Sequence, residues 1–246
     1  HIAPIAALVM GFLLGLKHAT DADHVVAISA IATEYRNAWK GIWVGASWGL
    51  GHTTPLLGIG IIILLFKERV LDVYEGIAPF FEFGVGAMLV FLGIQVYWGI
   101  RNGTLHLHDH EHDGSKHVHI HATHNPEADP AVEKAHGFFR PGKPFFRAKS
   151  YFIGIMHGLA GSAAVMLAFL PTISSSLVGV GYIALFGLGT ILSMALITVA
   201  LGIPFAITGS YKRINEVVSG AAGALSIVFG AALMSDVALG THFLPV

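Results

Sequence analysis

Near the start of the chain an apolar stretch contains the run His18-Ala19-Thr20-Asp21-Ala22-Asp23-His24, two imidazoles and two carboxylates in seven residues. Ionisable side chains at membrane depth are costly unless they pair, face water or bind an ion, so their default reading is functional. Neutral imidazole with carboxylate suits zinc, copper, iron, nickel and their neighbours, whereas magnesium or calcium favours an all-oxygen set. At about 100° per residue, His18, Asp21 and His24 form a drifting stripe on a helix and Asp23 lies off it. Convergence of all four on one ion therefore requires a distorted helix. The competing reading is a hydrogen-bonded His/Asp network that only ties helices together. A second run, Leu50-Gly51-His52-Thr53-Thr54-Pro55, offers a further nitrogen ligand. Its threonine hydroxyls are candidates to orient the ring or to accept from water, and Pro55 to free backbone carbonyls by interrupting the helical ladder. His157 stands in an apolar segment without carboxylates, where it either lines a pathway or touches the ion.

The elements that position these groups are membrane spans. Of 246 residues, 54% are hydrophobic and 12% are Asp, Glu, Lys or Arg, against about 45–50% and about 25% in an average soluble domain. A hydrocarbon layer of roughly 30 Å needs about 20 apolar residues as a helix. Six regions qualify: Ala3 to Ile31, Trp39 to Phe66, Gly76 to Ile100, Tyr151 to Leu170, Leu177 to Thr208 and Val217 to Leu239. The first runs without a small-residue cleavage site into Asp and His, so it reads as a span and not as a signal peptide. Trp39, Trp43, Tyr97 and Trp98 suit an aromatic belt at helix ends. The expected class is an all-α polytopic membrane protein.

The spans also repeat. Gly15-Leu16-Lys17-His18 matches Gly154-Ile155-Met156-His157, and Trp48-Gly49-Leu50-Gly51 matches Phe186-Gly187-Leu188-Gly189. Gly86-Ala87 followed by Gly93 matches Gly223-Ala224 followed by Gly230, so the offset stays near about 138 residues throughout. The pattern predicts two three-span repeats, residues 1–100 and 150–246, flanking a loop at 101–149. Three being odd, the copies face opposite ways, a design with a binding site near the midplane that recurs in secondary transporters. The competing reading is chance likeness between small-residue-rich membrane helices.

Basic residues set the expected orientation. Arg36, Lys40, Arg101, Lys116, Lys134, Arg140, Lys143, Arg147, Lys149, Lys212 and Arg213 fall on one side of six spans, and only Lys67 and Arg69 on the other. Positive loops stay cytoplasmic, which puts the protein in the cytoplasmic membrane with both termini outside and the long loop inside. That loop holds His106, His108, His110, His112, His117, His119, His121, His124 and His136, nine of the fifteen histidines. Its composition predicts disorder without metal and weak buffering or sensing of a divalent ion, with a dispensable solvated linker as the alternative. A cytoplasmic metallochaperone is its candidate partner. His1, if a free terminus, would offer its amine and imidazole as an entrance ligand on the outer face.

Several classes are excluded or disfavoured. A net charge of -1 offers no basic field for nucleic acid, and the absence of cysteine removes thiolate sites and nucleophiles. There is no ATP-binding P-loop. A membrane zinc hydrolase would use His18, His24 and a carboxylate, but the chain lacks His-Glu-x-x-His and a separate general base. No enzyme and no catalytic cofactor is expected; lipid and a divalent ion are the expected partners.

The two histidine runs resemble the nickel/cobalt permease (NiCoT) family and its UreH-like branch. The HX4DH signature of that family is met by His18, Asp23 and His24, and its Leu-Gly-His-Ser/Thr motif by Leu50, Gly51, His52 and Thr53. The likeness extends over all six spans. The family's Asp-Thr-Ala-Thr-Glu type motif is replaced by Gly158-Leu159-Ala160-Gly161-Ser162-Ala163, which looks UreH-like, and six spans stand where well-known members carry eight. The resemblance implies import of Ni2+ or Co2+ by alternating access, with these His and Asp residues selecting the metal. Nickel, cobalt or zinc efflux is the nearest rival.

Overall fold

The structure is a computed structural model that describes residues 3–33, 38–66, 68–102, 106–112, 115–121, 147–160, 167 and 169–244, with backbone alone for 68–71, 106–112 and 115–121. His1, His124 and His136 lie outside the described residues. In chain order the helices are α1 (Pro4–His18), α2 (Ala22–Ala32), α3 (Gly41–Phe66), α4 (Glu68–Arg101), α5 (Ala148–Gly158), α6 (Ser176–Thr208) and α7 (Lys212–Leu239). Short 3-10 turns precede α3 (Ala38–Lys40) and α6 (Leu170–Thr172). Among the described residues, the stretches Ala38–Phe66, Asp72–Arg101, Ser176–Thr208 and Lys212–Leu239 are long and apolar enough to cross a membrane; α1 with α2 makes a fifth if counted as one broken span.

The first expected span is thus not one helix. It breaks at Ala19-Thr20-Asp21, and α1 and α2 are bent by 50°. The cause is local. The residue run His-Ala-Thr-Asp competes with the helical ladder: the Thr20 hydroxyl folds back on the Lys17 carbonyl at 2.6 Å, and Asp21 takes extended backbone as the N-cap of α2. The fourth expected span, Tyr151 to Leu170, is also interrupted, since α5 ends at Gly158 and the described residues that follow it, Leu159 and Ala160, are not helical. Pro55, expected to interrupt its helix, does not: α3 runs unbroken from Gly41 to Phe66. Neighbouring helices hold such a proline in place, which is why membrane helices tolerate it.

Large apolar side chains such as Ile5, Phe80, Trp98, Leu177 and Val217 are exposed, as lipid-facing residues must be. Between helices the packing is by glycine. A methyl group added to Gly15 of α1 would strike the Phe186 carbonyl of α6, and one on Gly154 of α5 would strike the Trp48 carbonyl of α3. Gly189 of α6 likewise lies against the Phe12 carbonyl, and Gly51 of α3 against that of Tyr151. Gly86 and Gly93 of α4 meet Gly230 and Gly223 of α7, an antiparallel pair. Ser226 of α7 adds a 2.7 Å hydrogen bond to the Leu89 carbonyl. Such small-residue contacts let backbones approach and supply the van der Waals attraction that lipid cannot.

Within the loop the described residues form one two-stranded hairpin. β1 (His106–His112) pairs antiparallel with β2 (Ser115–His121), with His106 opposite His121, His108 opposite His119 and His110 opposite His117. Strict alternation of histidine along both segments suits a pleated ladder, where every second residue shares a face. By that register His106, His108, His110, His112, His117, His119 and His121 occupy one face.

Replacing Gly154 by alanine drives a methyl into α3 and is expected to cost about 1–3 kcal/mol, read as a lower unfolding midpoint in detergent. Gly58→Ala, where the added carbon meets nothing within 4 Å, should leave the midpoint unchanged or slightly raised. Equal midpoints for the two variants would show that α3 and α5 are not in backbone contact.

Candidate metal centre

The break after α1 brings the polar residues of the first run together with His52 of α3. His18 is the last residue of α1, and its Nδ1 lies 2.8 Å from Asp21 Oδ2 across the break. His24, on the first turn of α2, has Nδ1 2.9 Å from Asp23 Oδ1. A carboxylate only accepts, so both rings carry their proton on Nδ1 and present Nε2 as a lone pair, the orientation that carboxylate–histidine pairs give to metal ligands. His52 places its Nε2 3.0 Å from His18 Nε2. One ligand atom from each of His18, His24 and His52 lies within 4.8 Å of the others, close enough to share one ion.

These groups are sealed from solvent. His24, His52 and His157 are fully buried, and His18 is nearly so. His24 Nε2 and His52 Nδ1 have no hydrogen-bond partner. A buried polar atom left unpaired costs about 1–3 kcal/mol, so each of the two calls for an unseen partner. The carboxylates are partly exposed, Asp21 at 34% and Asp23 at 17%, which leaves a polar approach on their side. Two negative charges beside three neutral rings match a dication.

His157, last but one in α5, joins the same cluster from the other half of the chain. Its ring centroid lies 4.8 Å from that of His24, and its Nε2 lies 3.7 Å from Asp23 Oδ2. Aromatic walls close the cluster on two sides. Trp48 of α3 lies 5.3 Å from His157 and stacks on His24 at 6.4 Å, while Phe186 of α6 lies 5.6 Å from His18.

The remaining expectations divide. His18, Asp21, Asp23, His24, His52 and His157 come together in space. Thr53 and Thr54, expected to orient His52, instead donate to the Gly49 and Leu50 carbonyls at 2.8 Å, because the carbonyl four residues back is the nearest acceptor on a helix. Outside the cluster, Asp236 of α7 accepts from Thr241 Oγ1 and from the backbone N–H groups of Phe243 and Leu244, folding the tail back on α7. Gln95 accepts from Lys149 Nζ at 3.3 Å. Sequence reasoning missed Trp48 as a wall of the site, although its position four residues before His52 puts it one turn away on the same helix face. It also missed Tyr74 of α4, which donates to the Ala160 carbonyl at 3.0 Å and so ties down the chain just past the end of α5. No spacing pointed to that tyrosine.

Fold and site together define a helical membrane protein with a buried His/Asp cluster at a helix break. The chain belongs to the family of the urease accessory protein UreH. It is 35% identical to that protein from Bacillus sp. (strain TB-90) over 227 residues, which cover 92% of this chain and 89% of the relative. It is also 26% identical over 228 residues to the chloroplast protein FOR GROWTH AND FERTILITY 2 of Arabidopsis thaliana, and 24% identical over 193 residues to FOR GROWTH AND FERTILITY 1. The matched regions span 55% and 48% of those two plant proteins. No family model matches the chain, and no solved structure does.

Because Trp48 contacts two of the clustered rings, an open-shell ion bound there should quench its fluorescence. Titrating Co2+ into the purified protein is expected to dim the emission, and Trp48→Phe to remove most of that response while Trp98→Phe preserves it. Quenching carried wholly by Trp98 would locate the ion elsewhere.

Proposed function

We propose that this chain is a secondary transporter that imports Ni2+ or Co2+ across the cytoplasmic membrane by alternating access. The observation that carries this reading is the set of three buried histidines at a helix break, one ligand atom of each within 4.8 Å of the others, with the Nδ1 of two of them held by a carboxylate. His18, His24 and His52 bind the ion; Asp21 and Asp23 orient two of the rings and supply the compensating charge. Borderline nitrogen ligands suit late first-row dications. The urease accessory role printed for the Bacillus relative favours nickel within that group, since urease is a nickel enzyme. The ion is cargo, and no catalytic step or cofactor is involved.

Alternating access requires two halves that rock about the site. The reading of six spans as inverted repeats is supported by contacts that recur in pairs. Gly15 against Phe186 corresponds, at the offset of the sequence repeat, to Gly154 against Trp48; Gly189 against Phe12 corresponds to Gly51 against Tyr151. His18 and His157 are counterparts, each ending a broken helix against an aromatic ring of the other half. At the position of His52 the second half has Thr190, whose hydroxyl donates to the Phe186 carbonyl at 2.9 Å. The first half therefore carries most of the ligands. The basic residues argue for termini outside and the 101–149 loop inside, where its histidine face would hold ions and hand them to a metallochaperone.

Uptake into proteoliposomes holding the purified protein tests the proposal, with nickel, cobalt and zinc compared under an inward gradient. Saturable Ni2+ or Co2+ flux is expected, at least tenfold lower in His18→Ala. Asp21→Asn should weaken binding by about 10–100-fold, the usual cost of losing an orienting partner. Flux of equal size in His18→Ala would refute the site, and flux seen only under an outward gradient would make the protein an exporter. Deleting residues 106–124 is expected to lower uptake at limiting metal and to leave it unchanged at saturating metal.

A further inference from the structure

His157 is not needed by the three-histidine position, yet it is fully buried, and neither of its ring nitrogens has a hydrogen bond of regular geometry. A backbone acceptor, the Ile153 carbonyl one turn earlier on α5, is within reach of the ring. The other side of the ring turns Nε2 to Asp23 Oδ2 at 3.7 Å. That separation is too long for an N–H···O hydrogen bond, which runs about 2.7–3.2 Å. It is close to the edge of a tetrahedron: two ligands each about 2.1 Å from one ion stand about 3.4 Å apart. Asp23 is suited to the task because its Oδ1 is already engaged by His24 Nδ1, leaving Oδ2 aimed at His157.

We infer that Asp23 Oδ2 and His157 Nε2 form a second position for a borderline divalent cation, distinct from the one between His18, His24 and His52. The inference rests on the proposed metal site and extends it. His157 is not among the residues whose ligand atoms lie mutually within 4.8 Å. His24 stands between the two positions, its ring 4.8 Å from that of His18 and 4.8 Å from that of His157. Asp23 and His24 are neighbours on α2, whereas His157 belongs to α5, beyond the long loop. The second position therefore joins residues 1–100 to residues 150–246, and an ion stepping from three nitrogens to Asp23 and His157 passes from being held by one half to being held by both. Transfer over one ring width needs no release into lipid, and a weaker second position of lower ligand count favours onward exit.

The test compares the full-length parent with His157→Gln, His157→Cys and His18→Ala, measuring Co2+ and Ni2+ binding in detergent and flux in proteoliposomes. In His157→Gln the tighter binding event should stay within about twofold of the parent, while flux falls at least tenfold. In His157→Cys a thiolate replaces the imidazole as ligand, so bound Co2+ should show a thiolate charge-transfer band in the near ultraviolet and flux should exceed that of His157→Gln. Unchanged flux in His157→Gln, or loss of the tighter binding event together with flux, would overturn the two-position scheme; the latter would mean one site that includes His157. Absence of the charge-transfer band at saturating Co2+ would overturn it as well. Parent-like binding and flux in His18→Ala would instead sink the three-histidine reading, so the two failures are distinguishable.

Discussion

Everything in this molecule depends on the pairing of each aspartate in the first run with a histidine ring nitrogen across or beside a broken helix. In hydrocarbon an unpaired carboxylate or a backbone group without a partner is expensive. Asp21 and Asp23 escape that cost by binding the Nδ1 atoms of His18 and His24. The same two bonds leave both Nε2 atoms unclaimed by a carboxylate, and His18 presents its Nε2 3.0 Å from His52 Nε2. A continuous helix would not do this, because Asp23 would lie off the stripe formed by the others. The break between α1 and α2 is thus the structural condition for the cluster.

The scaffold around that break is built for close backbone approach. Gly15 on Phe186, Gly154 on Trp48 and Gly51 on Tyr151 bring α1, α3, α5 and α6 together without side chains between them. Those contacts set the aromatic rings of Phe186 and Trp48 against His18 and His157, so packing and site are parts of one arrangement. Glycine here serves proximity and not backbone freedom: among the described residues only Gly240, at the end of α7, has positive φ, at 64°. Tyr74 adds a tie just past the end of α5, where its hydroxyl donates to the Ala160 carbonyl.

The separation of roles between the two halves follows from what each break contains. After His18 come two aspartates and a second histidine; after His157 the described chain continues with Gly158, Leu159 and Ala160. On the proposed reading, an ion held mainly by one half and touched by the other is positioned where a relative movement of the halves changes its surroundings.

Membrane class, four of the helical spans, the polar runs and the need for a distorted first helix were legible from residue types and spacing, because hydrocarbon admits so few ways to hide a backbone and a charge. Spacing along one segment also put His18, Asp21, Asp23 and His24 within reach of each other. What spacing could not decide is which atoms face the ion. That depends on tautomer, which is set by the hydrogen bonds at Nδ1, and on where each helix ends. Sequence likewise left His157 undecided and was silent on Tyr74, since both act across helices distant along the chain. Only the tertiary structure, by bringing the end of α5 against α2 and α3, makes His157 a neighbour of Asp23: contacts between remote segments are fixed by packing geometry, which no local pattern encodes.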